Sequence, residues 1–347
     1  MWRSRFTAHY RLDVPFVSAG MGFYAVPTLV AAVSNAGGLG VLGVAPEPAP
    51  RLREMIHAVK ALTARPFGVD FIVVDTAFGP ATTAEHIEVC LAERVPVVVF
   101  FWQAPPGPWV EQLQAVGTRV WMQVGSVPEA RAAVGAGMDA LVVQGQEAGG
   151  HNKSSASTLT LVPAVADAIA PVPVVAAGGI ADGRGVAAAW ALGADAVWVG
   201  TRLVASQEAY AHAEHKRRIV AATVADTVRT AIFGPEWPDA SMRVLRNRVT
   251  REWAGRDDRT PPPEPSKSIG QTILLGQAYA MPPFSVILPT PDTTGEFDEM
   301  CLAAGESAGL VTDLKPAGQI VRDMMDEAQQ IITGRLVPLV DDQTDEP

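Results

Sequence analysis

The sequence predicts an α/β protein, a closed (β/α)8 TIM barrel. Short apolar runs rich in β-branched residues alternate with helix-length segments, and the alternation repeats eight times in roughly the first 200 residues. Such near-continuous apolar strands are typical of a parallel sheet that is buried on both faces. Glycine or polar residues follow the strands, at the positions where these sheets bind ligands. A doubly wound open sheet of six or seven strands is the alternative.

The strands and the helices between them account for most of the chain as far as residue 206. The first strand ends at Gly20-Met21-Gly22, and the glycine pair Gly37-Gly38 ends the helix that follows. We predict strands at 15–19, 39–43, 67–74, 96–101, 119–123, 139–143, 172–177 and 194–199, and helices at 26–35, 48–63, 83–94, 109–116, 128–135, 209–223 and 316–332.

The last third of the chain has a different composition. Short apolar pieces alternate with loops, and a proline-rich breaker occupies 261–265. This pattern predicts an excursion over the C-terminal face of the barrel, followed by helices that pack on the barrel. We therefore divide the chain into a barrel at 1–220, a smaller, mostly helical or irregular excursion at 221–305, C-terminal helices at 306–335 and an acidic tail at 336–347. Within the tail, 341–347 is expected to be disordered.

Charge and composition exclude several classes of function. The net charge of −10, without a basic stripe, disfavours nucleic acid as a partner. The longest apolar runs are too short to span a membrane, and the N-terminus has no secretory signal. The two cysteines form neither a disulfide framework nor a metal-binding spacing. These features predict a cytoplasmic protein with a small-molecule ligand.

Two glycine-rich turns predict a phosphate site. Gly178-Gly179 and Gly200-Thr201 follow neighbouring strands and open helices. Backbone N–H groups at adjacent strand ends form a cradle for phosphate, although simple turns can have the same residues. His151 follows glycines at the preceding strand end, where an imidazole can accept or donate a proton near physiological pH; a structural histidine is the alternative. We expect a phosphate-bearing cofactor with His151 near its reactive end.

Other side chains at the strand ends give weaker indications. The amide of Gln123 can serve a ring nitrogen, a ring oxygen or a phosphate. Met21 could present backbone groups to a flat ring or belong to the core, and Glu147 could orient His151 or cap its loop. In a barrel, the C-terminal ends of the strands lie on one face, so the residues there come together. They are Met21, Asp70, Gln123, Gln144, His151, Gly178 and Thr201.

Two further groups of residues can be interpreted either as part of a functional site or as purely structural. Phe100, Phe101 and Trp102 are expected to be partly core and partly a wall of the substrate pocket. His212 and His215 lie three residues apart on one helix face, as a metal-binding pair can. No Cys, Asp or Glu arrangement completes a metal site there, so a solvated face is the better interpretation.

Five segments along the predicted barrel form a recognisable set. They are Ala31-Ala-Val-Ser-Asn-Ala-Gly-Gly-Leu-Gly40, Pro66-Phe-Gly-Val69, Gly145-Gln-Glu-Ala-Gly-Gly-His151, Ala176-Ala-Gly-Gly-Ile180 and Gly200-Thr-Arg202. Together they resemble the nitronate monooxygenase family, formerly called 2-nitropropane dioxygenases, and the resemblance is continuous over about residues 12–210. It implies an FMN-dependent TIM barrel that oxidises alkyl nitronates or nitroalkanes with O2 to a carbonyl compound and nitrite. A homodimer is compatible with it.

The resemblance also implies roles for the site residues. His151 falls at the position of the family's active-site histidine, where it would take the α-proton of a nitroalkane or position a nitronate anion. The FMN phosphate would lie on Gly178, Gly179, Gly200 and Thr201. The isoalloxazine would rest near Gly20, Met21 and Gly22, with Asp70, Gln123, Gln144, Gly145, Gly149 and Gly150 alongside.

Two positions depart from the family pattern. Asp70 stands where the family usually has Asn, and a carboxylate there would disfavour an anionic substrate or reduced ring unless it is protonated or turned away. The family often has a glycine two residues after the histidine, whereas Asn152-Lys153 follows it here. Lys153 could supply positive charge to an anionic substrate, or it could reach solvent.

The motifs leave other functions open. NAD(P)H-dependent FMN reductases on the same scaffold, such as an enoyl-ACP reductase or a quinone reductase, share the Ala-Gly-Gly-His segment at 148–151. A catalytically idle flavin- or phosphate-binding protein is a second alternative, supported by the Asp70 departure. A phosphate-binding barrel without flavin, such as an isomerase, is a third.

Overall fold

Eight parallel strands form a closed barrel. The computed structural model describes residues 2, 4–256, 258–261 and 267–340, and the strands pair in the order β1-β8-β7-β6-β5-β4-β3-β2. The Leu39 N–H donates to the Phe16 carbonyl at 2.8 Å, and the Ser18 N–H donates to the Leu39 carbonyl at 3.0 Å, which joins β1 to the start of β2. The predicted barrel is confirmed, and the open sheet is wrong. The strands are β1 (Phe16–Ser18), β2 (Gly40–Val44), β3 (Phe67–Val73), β4 (Val97–Trp102), β5 (Arg119–Val124), β6 (Ala140–Gln144), β7 (Val174–Ala177) and β8 (Ala196–Val199).

Side chains on the two faces of each strand belong to two different hydrophobic cores, one inside the barrel and one between the sheet and the helices. In β4, Val97 and Val99 face the barrel interior, and Val98 and Phe100 pack under the helices. Both faces are therefore apolar, as a period of two requires in a sheet that is covered on each side. The first helix inserts Phe6 and Tyr10 among the interior residues at the strand starts, which leaves the opposite, C-terminal ends free for a site.

In the ring of helices around the barrel, a helix from the end of the chain takes the position after the eighth strand. The four-residue α9 that follows β8 is too short to cover the barrel, and α12 packs between α8 and α2 in its place. The helices are α1 (Arg5–Tyr10), α2 (Pro27–Asn35), α3 (Ala49–Leu62), α4 (Ala84–Ala92), α5 (Gly107–Ala115), α6 (Val127–Gly135), α7 (Thr158–Ile169), α8 (Gly183–Ala191), α9 (Thr201–Val204), α10 (Ala213–Ala221), α11 (Arg248–Glu252) and α12 (Ala317–Ile331).

The excursion between α10 and α12 is irregular, but its regular elements are mainly short strands instead of the expected helices. Its short extended pieces pair antiparallel because each needs a partner for its backbone groups. One sheet joins Thr227–Thr230, Met242–Leu245 and Gly150–His151, and a second joins Gly270–Leu274, Gln277–Met281 and Thr294–Gly295. A further hairpin, Asp75–Thr76 with Gly79–Pro80, follows β3, and Glu306–Leu310 forms a 3-10 helix.

The end of the chain is described as far as residue 340. A π turn at Ile332–Leu336 and a 3-10 turn at Val337–Leu339 extend α12. The acidic residues at 341–347 and most of the proline-rich breaker, 262–265, lie outside the described residues. Among the helices that are described, none combines the length and apolar character that crossing a membrane requires.

The contact between α8 and α12 gives a first testable prediction. A Cβ on Gly183 would lie 2.4 Å from the Ala328 backbone nitrogen, and the Gly183 N–H donates to the Glu327 carboxylate at 2.7 Å. Gly183→Ala must therefore push α12 from the barrel, and we expect the free energy of unfolding in urea to fall by about 1–3 kcal/mol. Gly135→Ala is the matched control, since nothing lies within 4 Å of its Cβ position. An equal loss in both variants would contradict the prediction.

Candidate functional site

A cavity of about 750 Å³ opens at the C-terminal ends of the strands. The barrel supplies its floor, and the excursion contributes Trp237, Met242 and Tyr279 to its walls. Its volume is in the range of sites for cofactors and small ligands. Every predicted site residue except Gly145 lines it, namely Gly20, Met21, Gly22, Asp70, Gln123, Gln144, Gly149, Gly150, His151, Gly178, Gly179, Gly200 and Thr201.

Some of the predicted glycines are required by packing within the protein. A Cβ on Gly145 would lie 2.1 Å from the Thr158 hydroxyl oxygen, and one on Gly20 would lie 2.2 Å from the Asp70 Cβ. A Cβ on Gly149 would lie 2.4 Å from the Gly305 backbone nitrogen. These positions need glycine because another chain segment approaches closely.

Three other glycines leave open space. Gly150 and Gly179 have φ values of +72° and +75°, which glycine adopts without strain. A Cβ on Gly150 would meet nothing within 4 Å, and for Gly179 and Gly200 the nearest atoms would be 3.8 and 3.5 Å away. Bare backbone therefore lines the cavity at the ends of β7 and β8, where a ligand can approach more closely than any side chain would allow.

His151 packs against two indole rings that also contact each other. Its imidazole stacks on Trp237 with ring centroids 3.8 Å apart and planes at 26°, and it meets Trp102 edge to face with ring centroids 5.9 Å apart. The two indole centroids are 4.9 Å apart. The Nε2 atom is shielded from solvent and has no partner among the described residues. Burial lowers the pKa of His151 to about 3, so the imidazole is neutral at physiological pH.

Lys153 is held outside the cavity lining. Its ammonium donates to the Trp102 carbonyl at 2.9 Å and pairs with the Glu129 carboxylate at 2.5 Å. The Trp102 residue that it holds has a φ of +82°, a strained value for a bulky residue. Of the two roles that the sequence left open, direct charge in the substrate pocket is not supported.

The loop before His151 is stabilised by its own polar residues. The Glu147 carboxylate accepts from the Thr158 N–H and hydroxyl, each at 3.0 Å, and so caps α7 instead of orienting the imidazole. The Asn152 amide donates to the Gly145 carbonyl at 2.9 Å and accepts from the Ser154 N–H at 2.8 Å. Asn152 thus closes the loop through its side chain.

Asp70 is a buried carboxyl without a counter-charge. It faces the barrel interior between Val69 and Phe71, and its Oδ1 atom has no hydrogen-bond partner among the described residues. Burial raises the pKa of Asp70 well above its ordinary value, and the Phe71 N–H opposes this only in part. Burial therefore favours the protonated form, in which the carboxyl can donate a hydrogen bond into the cavity.

The remaining sequence candidates take varied positions. Gln123 is buried in the cavity wall, and the Gln144 amide donates to the His151 carbonyl at 3.3 Å. Phe100 belongs to the core and Phe101 lines the cavity, as expected. His212 caps α10 through the Glu214 N–H, and His215 is buried against Tyr24. No cluster of metal-binding side chains occurs in the part of the chain that the structure describes.

Two neighbouring residues of the excursion, Glu236 and Trp237, were missed from the sequence. Trp237 covers His151, and the neighbouring Glu236 accepts from the Tyr279 hydroxyl at 2.9 Å, from Ser285 at 2.7 Å and from the Val286 N–H at 2.9 Å. The only local signal was an aromatic residue between prolines, in Gly234-Pro-Glu-Trp-Pro238. Such a segment indicates an ordered loop but does not reveal its partner.

The cavity is acidic overall. Its carboxyl and imidazole groups are those of Glu47, Asp70, Glu85, His86, His151 and Glu236, and no lysine or arginine joins them among the described residues. A bound anion must therefore be held by backbone N–H groups and neutral side chains.

The stacking of Trp237 on His151 leads to a prediction about the imidazole. Trp237→Ala would let water reach the ring, so we expect the pKa of His151 to rise from about 3 toward the ordinary value of about 6.5. Trp237→Phe keeps an aromatic face and should leave the pKa low. NMR titration of the His151 ring in both variants measures the effect, and a low pKa in Trp237→Ala would rule out shielding by the indole.

Comparisons with known proteins agree with this geometry. The nitronate monooxygenase family matches residues 3–327. A probable nitronate monooxygenase from Staphylococcus aureus strain Newman is 29% identical, over 96% of this chain and 99% of the relative. The structure of FabK from Thermotoga maritima is similar with a TM-score of 0.80 and 34% identity, over 98% of this chain and 100% of the other.

A nitroalkane oxidase from Streptomyces ansochromogenes is also similar. Its TM-score is 0.77 and its identity 29%, over 95% of this chain and 99% of the other. The match to the family extends from the N-terminal helix through the excursion to α12. The chain therefore belongs to the nitronate monooxygenase family and is a flavin-dependent oxidoreductase.

Proposed function

We propose that this protein uses FMN and O2 to oxidise alkyl nitronates to carbonyl compounds and nitrite. The observation that carries the proposal is the neutral, shielded Nε2 of His151, which lies beside the glycine-lined strand ends in one cavity. The named relatives, a probable nitronate monooxygenase and a nitroalkane oxidase, support the same class of substrate.

The cavity residues fit FMN. The open space at Gly179 and Gly200, with Thr201 beside it, suits a phosphate, because glycine backbone and a hydroxyl can donate to its oxygens. The unpartnered Asp70 Oδ1 and the buried Gln123 amide suit the polar edge of a flavin ring. When bound, FMN supplies the oxidation of the substrate carbon and the reaction with O2.

His151 is better suited to position an anion than to remove a proton. An efficient general base has a pKa near the working pH, and burial lowers the pKa of His151 to about 3. In the tautomer with the proton on Nε2, the ring can donate a hydrogen bond to a nitronate oxygen. We therefore propose that the substrate arrives as the preformed nitronate, with Trp237 and Trp102 keeping water from the imidazole.

The alternative is an NAD(P)H-dependent FMN reductase. The similarity to FabK, at 34% identity, favours keeping this alternative. It would bring a cofactor with further phosphates into a cavity whose described lining has no lysine or arginine, whereas a nitronate adds one small anion. A catalytically idle flavin-binding protein would show neither activity.

Anaerobic stopped-flow absorbance at the flavin band distinguishes these functions. We expect bleaching by an alkyl nitronate and none by NADH or NADPH.

Loss of the Nε2 donor in His151→Leu should lower kcat/KM for the nitronate about 10–100-fold, while His151→Asn, which keeps an N–H donor, should lose less. Bleaching by a nicotinamide alone would move the protein to the reductase class. A higher rate with the neutral nitroalkane than with its nitronate would contradict the positioning role.

The phosphate cradle can be tested by binding alone. Gly200 has no positive φ, and a Cβ at this position would make only ordinary contacts, so the fold should accept Gly200→Val. The added side chain would occupy the space proposed for the phosphate. We expect the FMN dissociation constant, measured by quenching of flavin fluorescence, to rise at least about tenfold, with the unfolding midpoint of the FMN-free protein unchanged. Unaltered FMN affinity would argue against this placement.

A further inference from the structure

Two hairpin tips carry large apolar side chains at the solvent edge of the cavity. Phe78 is at the tip of the hairpin after β3, and Leu275 is at the tip of the hairpin formed by Gly270–Leu274 and Gln277–Met281. Both line the cavity, yet they are 57% and 58% exposed. The ring of Phe78 meets Tyr279 edge-on, with centroids 6.2 Å apart. The mouth of the cavity is therefore an apolar rim.

Leu275 occupies a backbone conformation that does not suit it. Leu274 pairs with Gln277, so the turn has two residues, and φ is +52° at Leu275 and +77° at Gly276. Two positive φ values define a type I′ turn, whose first position favours Asn, Asp or Gly. A leucine there is strained and remains mostly exposed to water. Neither the turn nor the core of the protein explains this side chain, whereas contact with a ligand does.

Charge at the site restricts the ligand further. Glu47, Glu85 and Glu236 line the same cavity, without a lysine or arginine among the described lining residues. A substrate tail that carried a carboxylate would face these side chains without a compensating cation. An uncharged aliphatic or aromatic tail would instead cover Phe78 and Leu275, removing their apolar surface from water.

We propose that Phe78, Leu275 and Tyr279 bind the uncharged, apolar tail of the substrate, and that the enzyme acts on nitronates with extended alkyl or aryl tails. This inference rests on the proposed function for the nitronate head, which lies at His151. The tail extends from there to the rim, so the rim selects the length of the substrate.

The test is a chain-length series on the FMN-loaded enzyme. We expect kcat/KM for the nitronates of 1-nitroalkanes to rise roughly fourfold per methylene once the chain reaches the rim. Propionate-3-nitronate, with its carboxylate, should be a poorer substrate than the nitronate of 1-nitrobutane. Leu275→Asn should flatten the rise and also increase the melting temperature, because Asn-Gly suits the turn. A purely structural role for Leu275 would not give this combination.

Ile273→Asn is the matched control. Ile273 is 48% exposed in the same hairpin but does not line the cavity, so its loss should leave the chain-length dependence unchanged. Calorimetric binding of 1-alkanols with four to eight carbons tests the rim even if no nitronate is oxidised, since alkanols report the tail alone. Alkanol affinity that rises with length and is lost in Leu275→Asn supports the proposal. A flat series, or equal effects of both variants, overturns it.

Discussion

The site depends on the antiparallel pairing of Gly150–His151 with Met242–Arg243. This short pairing attaches the excursion to the barrel at the residue that carries the chemistry. The Asn152 N–H continues it by donating to the Ser241 carbonyl at 2.9 Å, and the Arg243 guanidinium donates to the Gln146 carbonyl at 3.0 Å. Without these bonds the imidazole would lie on a free loop and the cavity would have no roof.

Arg229 strengthens the same junction from the excursion. Its guanidinium donates to the Asn152 carbonyl at 2.8 Å, to the Ser154 carbonyl and to the Ser241 hydroxyl at 2.7 Å. The cations near the site are thus used to hold backbone carbonyls, as Lys153 holds that of Trp102. This use of charge explains how the cavity can be adjacent to several basic residues and still present only acidic and neutral groups to a ligand.

Shielding from water has opposite effects on the two ionisable groups that matter most. Burial lowers the pKa of His151 and raises that of Asp70, because in both cases the charged form is the one that loses hydration. Burial therefore favours the neutral form of both groups, in which both can take part in hydrogen bonds with a flavin or a nitronate. In its protonated form the Asp70 carboxyl can donate a hydrogen bond, as the amide of an asparagine does.

Local pattern in the chain was sufficient for the barrel and for the face of the site. Strand periodicity, helix caps and glycine turns are properties of neighbouring residues, so all eight strands followed from them. His151, predicted at the end of a barrel strand, lies beyond Gln144 in the short pairing with the excursion. Long-range contacts decided the rest. Two findings involve segments that are distant in the chain: α12 takes the place of α9 in the helical ring, and Trp237 covers His151. A third, the capping role of Glu147, depended on which of two nearby groups its carboxylate contacts. Some site glycines are closely packed and others face open space. Which of the two applies depends on the chain segment that approaches each Cα, and the neighbouring residues in the sequence do not reveal that segment.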